Sequence, residues 1–218
     1  EHVLMSTAYG YAYSEEDDSG LQTLCFRYEE IENRSVIPRA RNKYGTLRDG
    51  GDFTSSILVP IATDFLDSFG DDRPAVLGIS TFGTIDTQRA FVQHVPSRGP
   101  RSKTIVKVDL KNDLRSQGVR IVADNDATSA AFGEYLFGAG RAHQSESPHA
   151  FVYVWAGRGL NAGIVIDGSP WQGRLHPEMG HLVARLHEID QLPGGYPQNC
   201  GIHKGGCLTG LAGFRTLQ

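Results

Sequence analysis

Four side chains near the carboxyl end are of the types that bind soft metal ions: His181, Cys200, His203 and Cys207. The last three fall at C-x2-H-x3-C spacing, and His181 lies upstream across a proline- and glycine-rich stretch. Two thiolates and two imidazoles converging in this way suit a tetrahedral zinc ion. The plainer account is a pair of buried cysteines with histidines on the surface. Glu178 precedes His181 by three residues. On a helix the two would share a face, so a carboxylate would stand beside a metal ligand. That carboxylate can hold a substrate, or it can orient the ligand from behind.

A second carboxylate lies at Asn125-Asp126, between an apolar stretch (119–123) and a small-residue stretch (127–137). The first reads as a strand and the second as a helix, and ligands of open α/β sheets bind where a strand gives way to a helix. An aspartate there can take a proton from a substrate hydroxyl while the asparagine holds a second hydroxyl. Equally, Asp126 can simply cap the helix. The run from Gly157 to Gly163 carries glycines at 157, 159 and 163 between two apolar stretches. Glycines let a backbone approach phosphate and point its N–H groups inward, although a tight turn between strands needs them just as much.

The elements that position these groups follow from pattern. Residues 54–69 place Ile57, Ile61, Phe65 and Phe69 at a period of four, which predicts a helix with Pro60 near its first turn. Residues 75–80, 119–123, 151–156 and 163–166 are short apolar runs of the kind found in buried strands. A short helix is expected over 109–117, ended by Gly118, and a turn at Asp167-Gly168. Residues 3–13 read as one or two strands, 21–28 as another and 39–51 as a polar loop. Strands alternating with helices indicate an α/β fold with a largely parallel sheet. The domain seam is expected near Asp126, dividing the chain into 1–124 and 125–218.

With 218 residues, a net charge of −4 and three cysteines, the chain has the composition of a globular protein. The acidic balance argues against a nucleic-acid surface. No apolar run approaches the roughly 20 residues needed to span a bilayer. An odd number of cysteines, two of them in a metal-like cluster, fits a reducing compartment, so the cytoplasm is expected. The chain opens on Glu1 and stops at Gln218, and reads as a fragment.

Taken together, several stretches resemble the ROK sugar kinases, and within them the bacterial-type fructokinases. They are STFGTID at 80–86, DNDATSAAFGEYLFGAGR at 124–141, FVYVWAGRGLNAGIVIDG at 151–168, HPEMGH at 176–181 and GCLTGLAG at 206–213. The resemblance covers roughly residues 54–215. It implies an actin-like (ribonuclease H-like) ATPase fold, with two α/β domains around a cleft in which sugar and nucleotide meet, and a zinc-stapled loop. By position, Asp126 matches the catalytic base, and Asn125 and Glu178 match sugar-binding residues, with His181 beside them. His181, Cys200, His203 and Cys207 match structural zinc ligands. Gly157, Gly159 and Gly163 fall in the second phosphate-binding motif. The implied reaction transfers a phosphoryl group from ATP, bound with Mg2+, to a hexose, D-fructose first. Homodimers are common among such kinases.

The departures lie mostly on the nucleotide side. Residues 1–50 contain no Gly-Gly-Thr-Lys phosphate loop. Arg158, Asn161 and Ala162 stand where the second loop usually has threonine and glycines, Thr84 where proline is usual, and Thr209 where a sugar-contacting glutamate is usual. The carboxyl-terminal segment that completes the nucleotide site is absent. A sugar-binding protein that has lost phosphoryl transfer is therefore the competing expectation.

Overall fold

The computed structural model describes residues 2–9, 21–31, 35–47, 55–71, 73–81, 83–94, 106–145, 150–156, 159–173, 177–184 and 206–213, the first three segments as backbone alone. In chain order the strands are β1 (His2–Tyr9), β2 (Leu21–Ile31), β3 (Ser35–Leu47), β4 (Val76–Thr81), β5 (Thr84–Asp86) and β6 (Phe91–His94). They continue as β7 (Val106–Asp109), β8 (Arg120–Asn125), β9 (Ala150–Ala156), β10 (Leu160–Ile166) and β11 (Ser169–Pro170). The helices are α1 (Ser55–Asp67), α2 (Leu110–Asp113), α3 (Asp126–Phe137) and α4 (Leu208–Ala212). Two compact units result: Glu1–Pro96 with Lys103–Asp126, and Ser97–Ser102 with Ala127–Gln218.

The first unit is built on a five-stranded sheet in the order β3-β2-β1-β4-β8. Strand β4 runs parallel to both β1 and β8, whereas β2 runs antiparallel to β1 and β3. The sheet is therefore mixed rather than largely parallel, because its amino-terminal strands are successive neighbours in sequence. Residues 39–47, expected as a loop, belong to edge strand β3. An edge strand keeps one row of backbone groups open to water and tolerates charged side chains. That is why its polar composition concealed it.

Among the described residues one core serves this unit. Ala62, Phe65 and Leu66 of α1 cluster with Leu77 and Ile79 of β4, Ala123 of β8, and Ile85, Val92 and Val108 of the antiparallel sheet β5-β6-β7. Phe65 and Phe69 meet edge to face at 5.2 Å between centroids, a geometry that adds to plain burial. Pro60 lies inside α1, in its second turn rather than its first. Helix α2 starts where Asp109 Oδ1 accepts the Asn112 N–H at 3.1 Å. The short 3-10 turn that follows, Arg115–Gln117, ends on Gly118 in the left-handed conformation, φ 68°.

In the second unit β9, β10 and β11 form an antiparallel sheet, with α3 across one face. Ala131 and Tyr135 of α3 pack on Val165, flanked by Phe132, Leu136, Phe151 and Tyr153. Burying side chains of this size is worth about 1.5–3 kcal/mol each. The β10–β11 turn takes positive φ at both Asp167 (47°) and Gly168 (77°), as a two-residue hairpin loop of the primed type requires. Among the described residues no helix is long and apolar enough to cross a membrane.

Candidate functional site

In the first unit the chemistry gathers at the carboxyl ends of two parallel strands. Thr81 ends β4 and Asn125 ends β8, and the two residues pair across the ladder. Asn125 is buried, 2% exposed. Its side-chain amide donates to the Gly83 carbonyl at 3.1 Å, which ties the loop after β4 to the end of β8. Its backbone N–H donates to Asp124 Oδ1 at 2.7 Å. Asp126 follows as the first residue of α3 and is half-buried. A carboxylate there faces the positive end of the helix dipole. Strand, carboxylate and helix thus occur in the order that the sequence predicted.

The glycine stretch lies in the second unit. Ala156 pairs with Leu160, so β9 and β10 form a hairpin around residues 157–159. Gly157 and Arg158 lie outside the described residues. Gly163 sits within β10, where a β-carbon would collide with the Ala127 carbonyl and come within 2.5 Å of the Ala131 β-carbon. Its lack of a side chain is thereby accounted for by the closeness of α3.

Glu178 and His181 are side by side, though not on an α-helix. Glu178 caps a single 3-10 turn, Met179–His181, and itself takes φ 46° and ψ 42°. Left-handed backbone in a non-glycine residue costs on the order of 1–3 kcal/mol and tends to survive where a site needs it. The turn is closed by the His181 N–H donating to the Glu178 carbonyl at 2.9 Å. The Glu178 carboxylate then stands 3.8 Å from His181 Nε2, beyond direct hydrogen-bond reach.

His181 and Cys207 are brought onto neighbouring segments. Val183 and Cys207 form an antiparallel bridge, held by Ala184 N–H to the Gly206 carbonyl (2.7 Å) and Leu208 N–H to the Leu182 carbonyl (3.0 Å). Cys207 is fully buried at the start of α4, and its Sγ accepts the Gly210 N–H at 3.4 Å. Cys200 and His203 lie outside the described residues. Among the described residues no three His, Cys, Asp or Glu side chains gather to hold a metal. Of the four expected zinc ligands, His181 and Cys207 are the two that are described.

Sequence reasoning overlooked the residues that join these segments. Thr209 was noted only as a departure from a family pattern, yet its hydroxyl accepts the Leu160 N–H at 3.2 Å and donates to the Leu160 carbonyl at 2.8 Å. Gly180 lies buried against the same carbonyl.

Comparison with known proteins finds several similar sugar kinases. A fructokinase of Zymomonas mobilis is 39% identical over 146 residues, covering 65% of this chain and 44% of that protein. A glucokinase of Thermotoga maritima is 32% identical over 154 residues, covering 69% and 43%. The chain thus spans about half the length of the curated relatives it matches. Among solved structures, a ROK family glucokinase from Streptomyces griseus, in complex with glucose and AMPPNP, superposes with a TM-score of 0.60 at 22% identity, covering 90% of this chain and 55% of that one. The fold is accordingly the actin-like ATPase fold of that family. The ROK family signature matches residues 54–218, most of the sequence, and the chain belongs to the ROK family.

Proposed function

We propose that this protein phosphorylates a hexose, most specifically D-fructose to fructose 6-phosphate, at the expense of ATP. The observation that carries the reading is Asp126, a half-buried carboxylate that directly follows a parallel strand and opens a helix. In the reaction the Asp126 carboxylate would take the proton of the sugar 6-hydroxyl. That oxygen attacks the γ-phosphorus, the bond from the γ-phosphorus to the β–γ bridging oxygen breaks, and ADP leaves with Mg2+. Positioning and charge neutralisation supply most of the acceleration in such transfers. Asn125 would hold the loop at Gly83 and a sugar hydroxyl, and Glu178 a further hydroxyl. Gly157 and Gly159 would approach phosphate, with Gly163 letting β10 lie close on α3. The setting is a cytoplasmic one, where ATP, hexoses and reduced cysteines coexist.

A coupled assay with Mg-ATP and either fructose or glucose tests the reading. Turnover with fructose above that with glucose supports it. Fructose binding without nucleotide binding favours the competing reading, a sugar-binding protein without transfer, which is motivated by Arg158 and by the unmatched residues 1–50. A chain that binds neither sugar nor nucleotide sinks both readings.

His181, Cys200, His203 and Cys207 would hold a structural zinc ion, the two histidines as neutral imidazoles and the two cysteines as thiolates. The ion would clamp the segment between Leu182 and Asn199. Purified protein is expected to carry about one zinc per chain, as four-ligand structural sites do. Cys207→Ala should lose most of it, and chelation should lower the melting temperature. Full zinc occupancy in Cys207→Ala would remove Cys207 from the ligand set.

A further inference from the structure

We propose that Thr209 is a positioning residue that locks the Glu178–His181 turn to the start of β10, so that the carboxylate and the glycine hairpin hold a common register. Three segments distant in sequence meet at its hydroxyl. Leu160, the first residue of β10, gives it a proton through the backbone N–H (3.2 Å) and receives one at the carbonyl (2.8 Å). Gly180, between Glu178 and His181, is packed so tightly there that a β-carbon would strike the Leu160 carbonyl and approach Thr209 Oγ1 to 2.6 Å. Gly159 faces the same side chain, its missing β-carbon 3.1 Å from Thr209 Cγ2. Thr209 is itself carried on α4, two residues after Cys207, which is bridged to Val183 just beyond the turn.

The arrangement closes a ring: hairpin to Thr209, Thr209 to α4, α4 through Cys207 and Val183 to the turn, and the turn through Gly180 back to the hairpin. A hydroxyl that satisfies both backbone groups of one residue fixes that residue more firmly than a single bond, because either group left alone in a partly buried site would be unpaired. It also means that the Leu160 N–H already has a partner. Any shift of the hairpin must move Gly180 and, with it, the backbone that sets the left-handed conformation of Glu178.

Thr209→Val keeps the shape and removes the hydroxyl, and Thr209→Ser keeps the hydroxyl. Amide hydrogen exchange in the ligand-free full chain tests the link. In Thr209→Val, exchange should quicken by about tenfold both at Leu160 and at residues 179–182, as expected for losing a bond pair of ordinary strength. Thr209→Ser should restore it. Quickening at Leu160 alone, with the turn unchanged, overturns the link. So does general quickening across unit two, which marks a merely misfolded variant that Thr209→Ser would not rescue.

The role in ligand binding rests on the kinase reading above, and calorimetric titration with fructose reads it separately. Thr209→Val should weaken fructose by about tenfold on the same bond-energy argument. Unchanged fructose affinity in a variant whose turn exchanges faster overturns positioning. A parent chain that binds no fructose sinks the kinase reading, and the exchange data then decide the link on their own.

Discussion

Asp126→Asn is expected to lower kcat for hexose phosphorylation by about 10²–10⁴-fold, the usual worth of a general base. The choice of asparagine separates two roles for this residue. Asparagine and aspartate are comparable at the start of a helix. A residue that only caps α3 would thus tolerate the change with little loss of either stability or rate. A residue that removes a proton from the attacking hydroxyl would lose rate while the fold persists. Some stability should still go, because a carboxylate in the first turn gains about 0.3–1 kcal/mol from the helix dipole. The expected signature is a collapse in kcat with near-unchanged fructose affinity and zinc content. A variant that turns over like the parent would show that Asp126 is a cap and nothing more.

The second large effect is structural. Gly163→Ala should destabilise the second unit by about 1–3 kcal/mol or more, the range for forcing atoms into a packed interior. The upper end is expected, because the atoms in the way are the Ala127 carbonyl and the Ala131 β-carbon, neither of which can rotate aside. Either β10 or α3 must move. Gly133→Ala, on the same helix, should do the opposite. Nothing lies within 4 Å of its missing β-carbon, and alanine gains up to about 1 kcal/mol over glycine inside a helix. Urea denaturation followed by tryptophan fluorescence reads this unit selectively, since Trp155 and Trp171 are the only tryptophans and both fall within it. Equal midpoints for the two variants would mean that β10 and α3 are not in close contact.

These contrasts show what was legible in the sequence. Apolar runs marked strands whether or not they are buried, so β4, β8 and the largely exposed β9 were read close to their true limits, and α3 followed from the small residues after Asp126. Strand β3 escaped because the period-two signal depends on burying one face. A charged edge strand is specified by its partner β2, through residue pairs such as Leu24 with Lys43, rather than by its own composition. The side-by-side placement of Glu178 and His181 was predicted from their spacing, but the turn that achieves it was not. Positive φ at a glutamate leaves no mark in sequence, since the surrounding packing enforces it. Thr209 was hidden for a related reason: its partner Leu160 is 49 residues away, and a threonine carries no spacing rule that points to a distant backbone.

The position of β4 also sets the order in which the molecule can assemble. Its two neighbours are remote in the chain, Val76 pairing with His2 on one side and with Arg120 on the other. Parallel pairings across such distances close late, since the intervening chain must be ordered first. The β9–β10 hairpin joins immediate neighbours and has no such delay. During synthesis the amino-terminal strands therefore emerge first, yet their sheet stays open along β4 until β8 has left the ribosome. In that interval β4 keeps an unpaired edge, with Leu77 and Ile79 not yet covered, and such edges are open to wrong partners.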